Sequence, residues 1–318
     1  MAGVTVAEYL GQRTDIDLIK IEPAGQNELC PFMEGKLCHK KVPVCSIRNK
    51  GKLWIVCENR LCSSKKTIPD PAYPKNKNKK LKLPLSAYQK EVLLNIARAS
   101  FSDTLNYSDV AVKREVSIKA NDLNNYSADF VMTLHNGKTK LPGPDRVVLE
   151  MQGGGETSNT GLISNHLALW ASDPHRTNEM LREEIKNVGT IETNAWRRQQ
   201  EQFIVKGNVA MMTWKGYGII FCVGELLYDY IWRKIENKAI LPPLKEHNWT
   251  LAFLEICEDH NKTIVPGPLP LKIGRRLFTN YHTFVHALIN QGEPSPETFA
   301  GEFDRLDGTV VNIPREGN

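Results

Sequence analysis

From residue 85 onward, short apolar runs rich in β-branched residues alternate with segments whose apolar positions recur every three or four residues. Ser127–His135 (SADFVMTLH) and Arg146–Gln152 (RVVLEMQ) are predicted as two neighbouring strands joined through the Gly/Pro-rich stretch 136–145. Tyr217–Val223 (YGIIFCV) and Trp249–Ile256 (WTLAFLEI) give two more. Ser86 is placed to cap a helix that carries Tyr88, Val92, Leu93, Ile96 and Ala97 on one face. Helical spacing returns at about 160–171, 178–187 and 194–212, and again near Tyr281–Asn290. This order predicts an α/β fold with a mixed central sheet flanked by helices.

The first quarter of the chain reads differently. Residues 1–69 are expected to be a small, loop-rich module with a strand at Lys52–Cys57 (KLWIVC), after the turn Asn49-Lys50-Gly51. Between Pro69 and Pro84 lie four prolines and five lysines against the single acid Asp70, with no periodic apolar face. Residues 70–84 are therefore expected to link the module to a larger domain, 85–318.

With 41% hydrophobic and 24% charged residues over 318 positions, the chain has a globular composition, neither disordered nor fibrous. Its longest apolar neighbourhood, Val209 to Ile231, is broken by Lys215, Glu225 and Asp229, and no membrane span is expected. Glu8, Arg13, Asp15 and Asp17 leave no signal-peptide pattern at the N-terminus, so a cytoplasmic protein is expected. The net charge of +5 is unevenly placed: residues 1–84 hold 16 Lys/Arg against 8 Asp/Glu, residues 85–318 hold 25 against 28. A basic first quarter suggests a polyanion partner there.

Cysteine follows the same division. Cys30, Cys38, Cys45, Cys57 and Cys62 are clustered, and only Cys222 and Cys257 follow. In a cytoplasmic chain such a cluster points to a metal rather than to disulfides. Four thiolates suffice for a tetrahedral site, which leaves one thiol surplus, and four thiolates suit either iron or zinc.

Two predicted strands each carry a carboxylate out of keeping with its apolar run. Asp129 precedes Phe130-Val131-Met132, and Glu150 follows Val147-Val148-Leu149, two residues before Gln152. Carboxylates at the ends of neighbouring strands can converge on Mg2+, a hard ion held by one or two carboxylates plus substrate phosphate. The pattern D…ExQ resembles the PD-(D/E)xK nuclease core, with glutamine where most members have lysine. Glu115 is a third candidate acid, of a kind that many such nucleases add from a preceding helix; its alternative is a surface carboxylate paired with Lys113, Arg114 or Lys119.

Taken together, Cys30-Pro-Phe, Val44-Cys45-Ser-Ile, Trp54-Ile-Val-Cys57, Glu115, Asp129 and Glu150-Met-Gln152 with its glycine-rich tail resemble the NotI family of type II restriction endonucleases. The resemblance implies a restriction-endonuclease-like PD-(D/E)xK core with a small N-terminal metal-binding module built on four cysteines, acting as a homodimer in a prokaryotic cytoplasm. It implies Mg2+-dependent double-strand cleavage of DNA at a GC-rich palindrome, leaving 5′-phosphates. It puts Glu115, Asp129, Glu150 and Gln152 in catalytic positions, Asp129 and Glu150 on Mg2+. Cys30, Cys38, Cys45 and Cys57 fall on a structural iron (zinc being the alternative), with Cys62 as alternate ligand. A DNA-binding regulator without catalysis, or a repair nuclease with the same core, are the competing readings.

Contacts to DNA are expected from Lys40, Lys41, Arg48, Lys50 and Lys52, interleaved with the cysteines, and from Arg197 and Arg198 on a helix that also carries Gln199, Gln200 and Gln202. The loop Gly153-Gly-Gly-Glu-Thr-Ser-Asn-Thr-Gly161 is either a backbone approach to DNA, with Thr157, Ser158, Asn159 and Thr160 as donors, or a plain surface loop.

Overall fold

The structure, a computed structural model, describes residues 3–25, 27–70, 72–73, 75–76, 78–119, 125–135, 144, 146–213, 218–235, 238–290, 295, 298 and 300–315. The chain begins with β1 (Val4–Tyr9), β2 (Gln12–Arg13), β3 (Val44–Asn49) and β4 (Lys52–Ile55), which form a four-stranded sheet in the order β2-β1-β3-β4. The one-turn helix α1 (Glu58–Leu61) leads to β5 (Thr67–Pro69), which pairs antiparallel with β6 (Lys80–Lys82). The stretch expected to be a linker thus carries one strand of a hairpin, with Lys79, Lys80 and Lys82 exposed on it.

Next come α2 (Ala87–Ser100), β7 (Val110–Lys119), β8 (Asn125–Leu134), β9 (Arg146–Gln152), α3 (Thr160–Ser172), α4 (Asn178–Leu181), α5 (Glu192–Thr213), β10 (Gly218–Gly224), α6 (Glu225–Lys234), β11 (Leu251–Glu258), β12 (Leu271–Thr279) and α7 (Tyr281–Ile289). An exposed hairpin, β13 (Gly301–Asp304) with β14 (Val310–Ile313), follows. Strands β7 to β12 form one sheet in the order β12-β11-β10-β9-β8-β7. Its centre, β9-β10-β11, is parallel and its flanks are antiparallel, giving the mixed sheet flanked by helices that the pattern predicts.

Helix α2 starts where Ser86 predicts, in a capping box: Ser86 Oγ accepts from Gln89 N (3.1 Å) and Gln89 Oε1 accepts from Ser86 N (2.9 Å). The helix expected over 178–187 is a correction, because it stops at Leu181. Ile185 instead exchanges backbone hydrogen bonds with Val4 (3.1 and 2.8 Å), so pairing with β1 overrides local helical spacing. The connection 136–143, Asp145 and Tyr217 lie outside the described residues.

Two cores lie against the large sheet. One joins Val148, Ile219, Phe221 and Phe253 to Ile163, Phe203, Leu227, Ile231 and Phe284 of the helices. The other joins Phe130, Leu149, Ile220 and Leu254 to Leu93, Ile96 and Ala97 of α2. The N-terminal sheet enters both, Trp54 and Ile47 in the first, Leu53 and Ile55 in the second. Its strand β4 packs against α6 and β10 and meets the glycines that follow Gln152. Among the described residues no helix is long and apolar enough to cross a membrane.

Candidate active site

The strand registers line up the candidate acids. Phe130 pairs with Leu149 across β8 and β9, so one residue on, Asp129 comes abreast of Glu150. Arg114 pairs with Phe130 and Val116 with Ala128 across β7 and β8, which brackets Glu115 opposite Asp129. The row is not flat. Glu115 has φ 45°, the left-handed region in mid-strand, and Ala128 packs in one core while Phe130 packs in the other, although a regular strand would send both to the same face. Glu115 is engaged outside the cleft lining: its carboxylate accepts from Lys66 N (3.2 Å) and its carbonyl from Lys66 Nζ (3.0 Å). Glu115 stands on a strand, not on the preceding helix that the resemblance leads one to expect.

Asp129 lies on a cleft of about 400 Å³. One wall is the cysteine-bearing segment, His39, Lys40, Ile55 to Glu58 and Leu61 to Ser64; the other is Met151, Gln152 and the three glycines after them, with Arg198 and Gln199 at the end. Asp129 Oδ2 accepts from Met151 N (3.0 Å) and Oδ1 from Ser64 Oγ (3.3 Å). Burial pushes its carboxyl up, and the Met151 N–H and the charge of Lys206 oppose this. Glu150 is sealed beneath, one oxygen accepting from Lys206 Nζ at 2.8 Å. Burial first, then the charge of Asp129, push the Glu150 carboxyl up to about 7, against the pull of Lys206 and of the Asp129 backbone N–H. The second oxygen, Oε1, is buried with no hydrogen-bond partner. An orphaned carboxylate oxygen beside a second carboxylate is the donor set a hard divalent cation requires.

Gln152 is held at both ends of its amide: Oε1 accepts from Gln199 Nε2 (2.7 Å) and Nε2 donates to Gly154 O (3.1 Å). Gly153 and Gly154 are buried because β4 lies on them. A Cβ on Gly154 would sit 2.4 Å from the Trp54 ring, and one on Gly153 3.1 Å from Ile55. The glycines thus bring backbone close to protein, and three of the loop's polar side chains bond to the protein's own backbone, although Asn159 and Thr160 stay exposed. Ser158 Oγ accepts from Gly189 N (2.9 Å), Asn159 Nδ2 donates to Asn187 O (2.7 Å) and Thr160 Oγ1 to Thr157 O (3.4 Å). Gly154→Ala is expected to lose about 1–3 kcal/mol of stability, the scale of overpacking a filled site, read as a lower urea midpoint.

Cys30, Cys45 and Cys57 share one small core with Phe32, Met33 and Leu83. Burial raises the Cys30 and Cys45 thiols, and neighbouring thiols add to it: Cys57 and Cys38 act on Cys30, and Cys57 acts on Cys45. Cys62 belongs elsewhere, packed in the core beneath α2, with Asp129 and Arg114 as its charged neighbours. All of these thiols are free, so as a donor set they suit a soft ion. They are not drawn to a point: among the described residues no group of three or more His, Cys, Asp or Glu has metal-holding geometry.

The basic candidates separate. Lys40 lines the cleft and donates to Val56 O (2.7 Å), and Arg198 lines it while pairing with Glu156. Lys41, Lys50 and Arg197 are exposed, Arg197 and Gln200 on α5 outside the cleft lining; the Gln202 side chain lies outside the described residues. Two others are engaged in ion pairs within the protein. Arg48 makes a two-pronged pair with Glu258, its second nitrogen at 3.0 Å, and Lys52 reaches Asp229 (2.6 Å) and Glu225 (3.2 Å). Sequence reasoning missed the buried Lys206 on Glu150, and Ser64 and Glu58 of the cleft wall. Lys206 had a signal, being a lone charge three residues after Phe203 on the buried side of α5.

Comparison with models of known protein families gives no match, and comparison with curated proteins gives none either.

Proposed function

We propose that the chain is a Mg2+-dependent, site-specific endonuclease of the PD-(D/E)xK type that cuts double-stranded DNA, two copies acting on two strands. One observation carries the reading: two carboxylates, the half-buried Asp129 and the buried Glu150, stand abreast on adjoining strands at a cleft, with one Glu150 oxygen unpartnered. Asp129 and Glu150 would hold the ion. When bound, it lowers the pKa of a water and offsets charge at the phosphorus. Gln152, its amide fixed by Gln199 and Gly154, orients the attacking water in line with the scissile bond without taking a proton. Lys40 and Arg198 at the rim, with the lysines of the β5–β6 hairpin, attract the phosphates. Cys30, Cys38, Cys45 and Cys57 would hold an iron or zinc that cross-links the opposite wall, with Cys62 the alternate; the shared core of Cys30, Cys45 and Cys57 supports this set.

The test is to incubate the protein and Mg2+ with a sequenced plasmid and map the ends. Breaks at one palindromic sequence, with 5′-phosphates and 3′-hydroxyls, are expected. Retention of DNA without cutting would favour a DNA-binding regulator, and cutting only at branched or damaged sites a repair nuclease.

A further inference from the structure

Helix α5 carries two polar side chains into the E-x-Q strand. Gln199 and Lys206 are seven residues apart, two helical turns, and so share a face. Gln199 grips the amide of Gln152 and Lys206 the carboxylate of Glu150. The helix is anchored where it does this. Tyr281 Oη donates to the carbonyls of Phe203 and Ile204, and its ring lies so close to Gly207 that a Cβ there would stand 2.2 Å from it. Lys206 is therefore placed by a packed helix, and both it and Glu150 are 3% exposed in their side chains.

A buried ammonium against a buried carboxylate is a pair taken out of water, which packing alone does not favour over apolar residues. Its position gives it another use. Asp129 and Glu150 are like charges side by side, and among the described residues Lys206 is the cation that pairs with either of them. It takes Oε2 of Glu150 and leaves Oε1 without a partner. We infer that Lys206 is the resident counter-ion of the carboxylate pair and a positioning residue: it keeps the ion-free site intact, restricts Glu150 to one free oxygen, and by repulsion sets how weakly a divalent cation is held. The inference rests on the reading of Asp129 and Glu150 as cation ligands and adds what governs their affinity.

The experiment measures Mn2+ binding by the full-length protein without DNA, from the loss of the free-ion electron paramagnetic resonance signal. The relevant component is the binding that Asp129→Asn removes. Lys206→Met is expected to tighten that component about tenfold, since a unit charge a few ångströms from the ion is withdrawn, while Mg2+-saturated cleavage falls because Glu150 is freed to turn. Lys206→Arg, which keeps the charge, is expected to stay near wild type in ion affinity. If Lys206→Met does not fold, Lys206→Gln removes the same charge and keeps a donor. A purely structural lysine would lower stability without moving ion affinity. Unchanged or weaker Mn2+ binding in the neutral variants overturns the inference. Absence of any Asp129-dependent binding in the wild type overturns the reading of the site itself.

Discussion

Glu150→Gln and Asp129→Asn proteins are expected to fold, to bind duplex DNA and to leave it uncut, with cleavage down by roughly a thousandfold or more, the scale of removing a group that stabilises transition-state charge. The amide replacements are chosen for what they preserve. At position 150 the amide oxygen can still accept from Lys206 Nζ, so the lysine is not left buried without a partner. At position 129 it can still accept from Met151 N, which joins β8 to β9 at the acid pair. Loss of rate with unchanged melting then reports on cation binding rather than on folding. Cleavage assayed in Mg2+ beside DNA retention in a gel separates the two, and near-normal cutting by either variant would overturn the assignment.

The largest stability effect is expected from Arg60. Its side chain and that of Glu8 are 0% exposed, with Arg60 Nε 2.9 and 2.7 Å from the two Glu8 oxygens. Arg60 also donates to Tyr88 Oη and Leu269 O and lies over the rings of Phe32 and Tyr88. Glu8 in turn accepts from Ser46 Oγ (2.5 Å) and Leu269 N (2.8 Å). Arg60→Met leaves Glu8 a buried charge with two neutral donors, and a loss of about 3–5 kcal/mol is expected. Chemical denaturation followed by tryptophan fluorescence measures it. Activity should fall too, because α1 and Ser64 of the cleft wall hang from this pair. A loss under about 1 kcal/mol, the value of an exposed pair, would show that the pair does not hold the wall.

What can be read in the sequence follows from burial. The central strands β9 to β11 are apolar because both faces are covered, and they are legible, as is β8, whose buried positions alternate. The outer strands β7 and β12 are not, since Lys113, Arg114 and Glu115 interrupt one and Gly274, Arg275 and Arg276 the other, as edge positions allow. Asp129, Glu150 and Gln152 are legible as polar residues in apolar runs. Glu115 is legible as an acid but not as a left-handed residue engaged outside the cleft lining. Arg48 and Lys52 can be counted as positive charge but not recognised as paired, because Glu258 and Asp229 lie 210 and 177 residues away in sequence. The three glycines are legible as a close approach, but their partner, β4, is a tertiary fact.

The Glu8–Arg60 pair also bears on when the molecule becomes complete. Glu8 is made early, yet one of its hydrogen-bond donors and one of Arg60's acceptors belong to Leu269. Contacts of such sequence separation close late, since the intervening loop must be ordered first. A polypeptide still emerging from the ribosome has made its cysteines and acids long before it reaches the residue that locks the wall facing them. Were the chain the nuclease proposed above, unfinished chains would lack the Leu269 contacts that complete this wall.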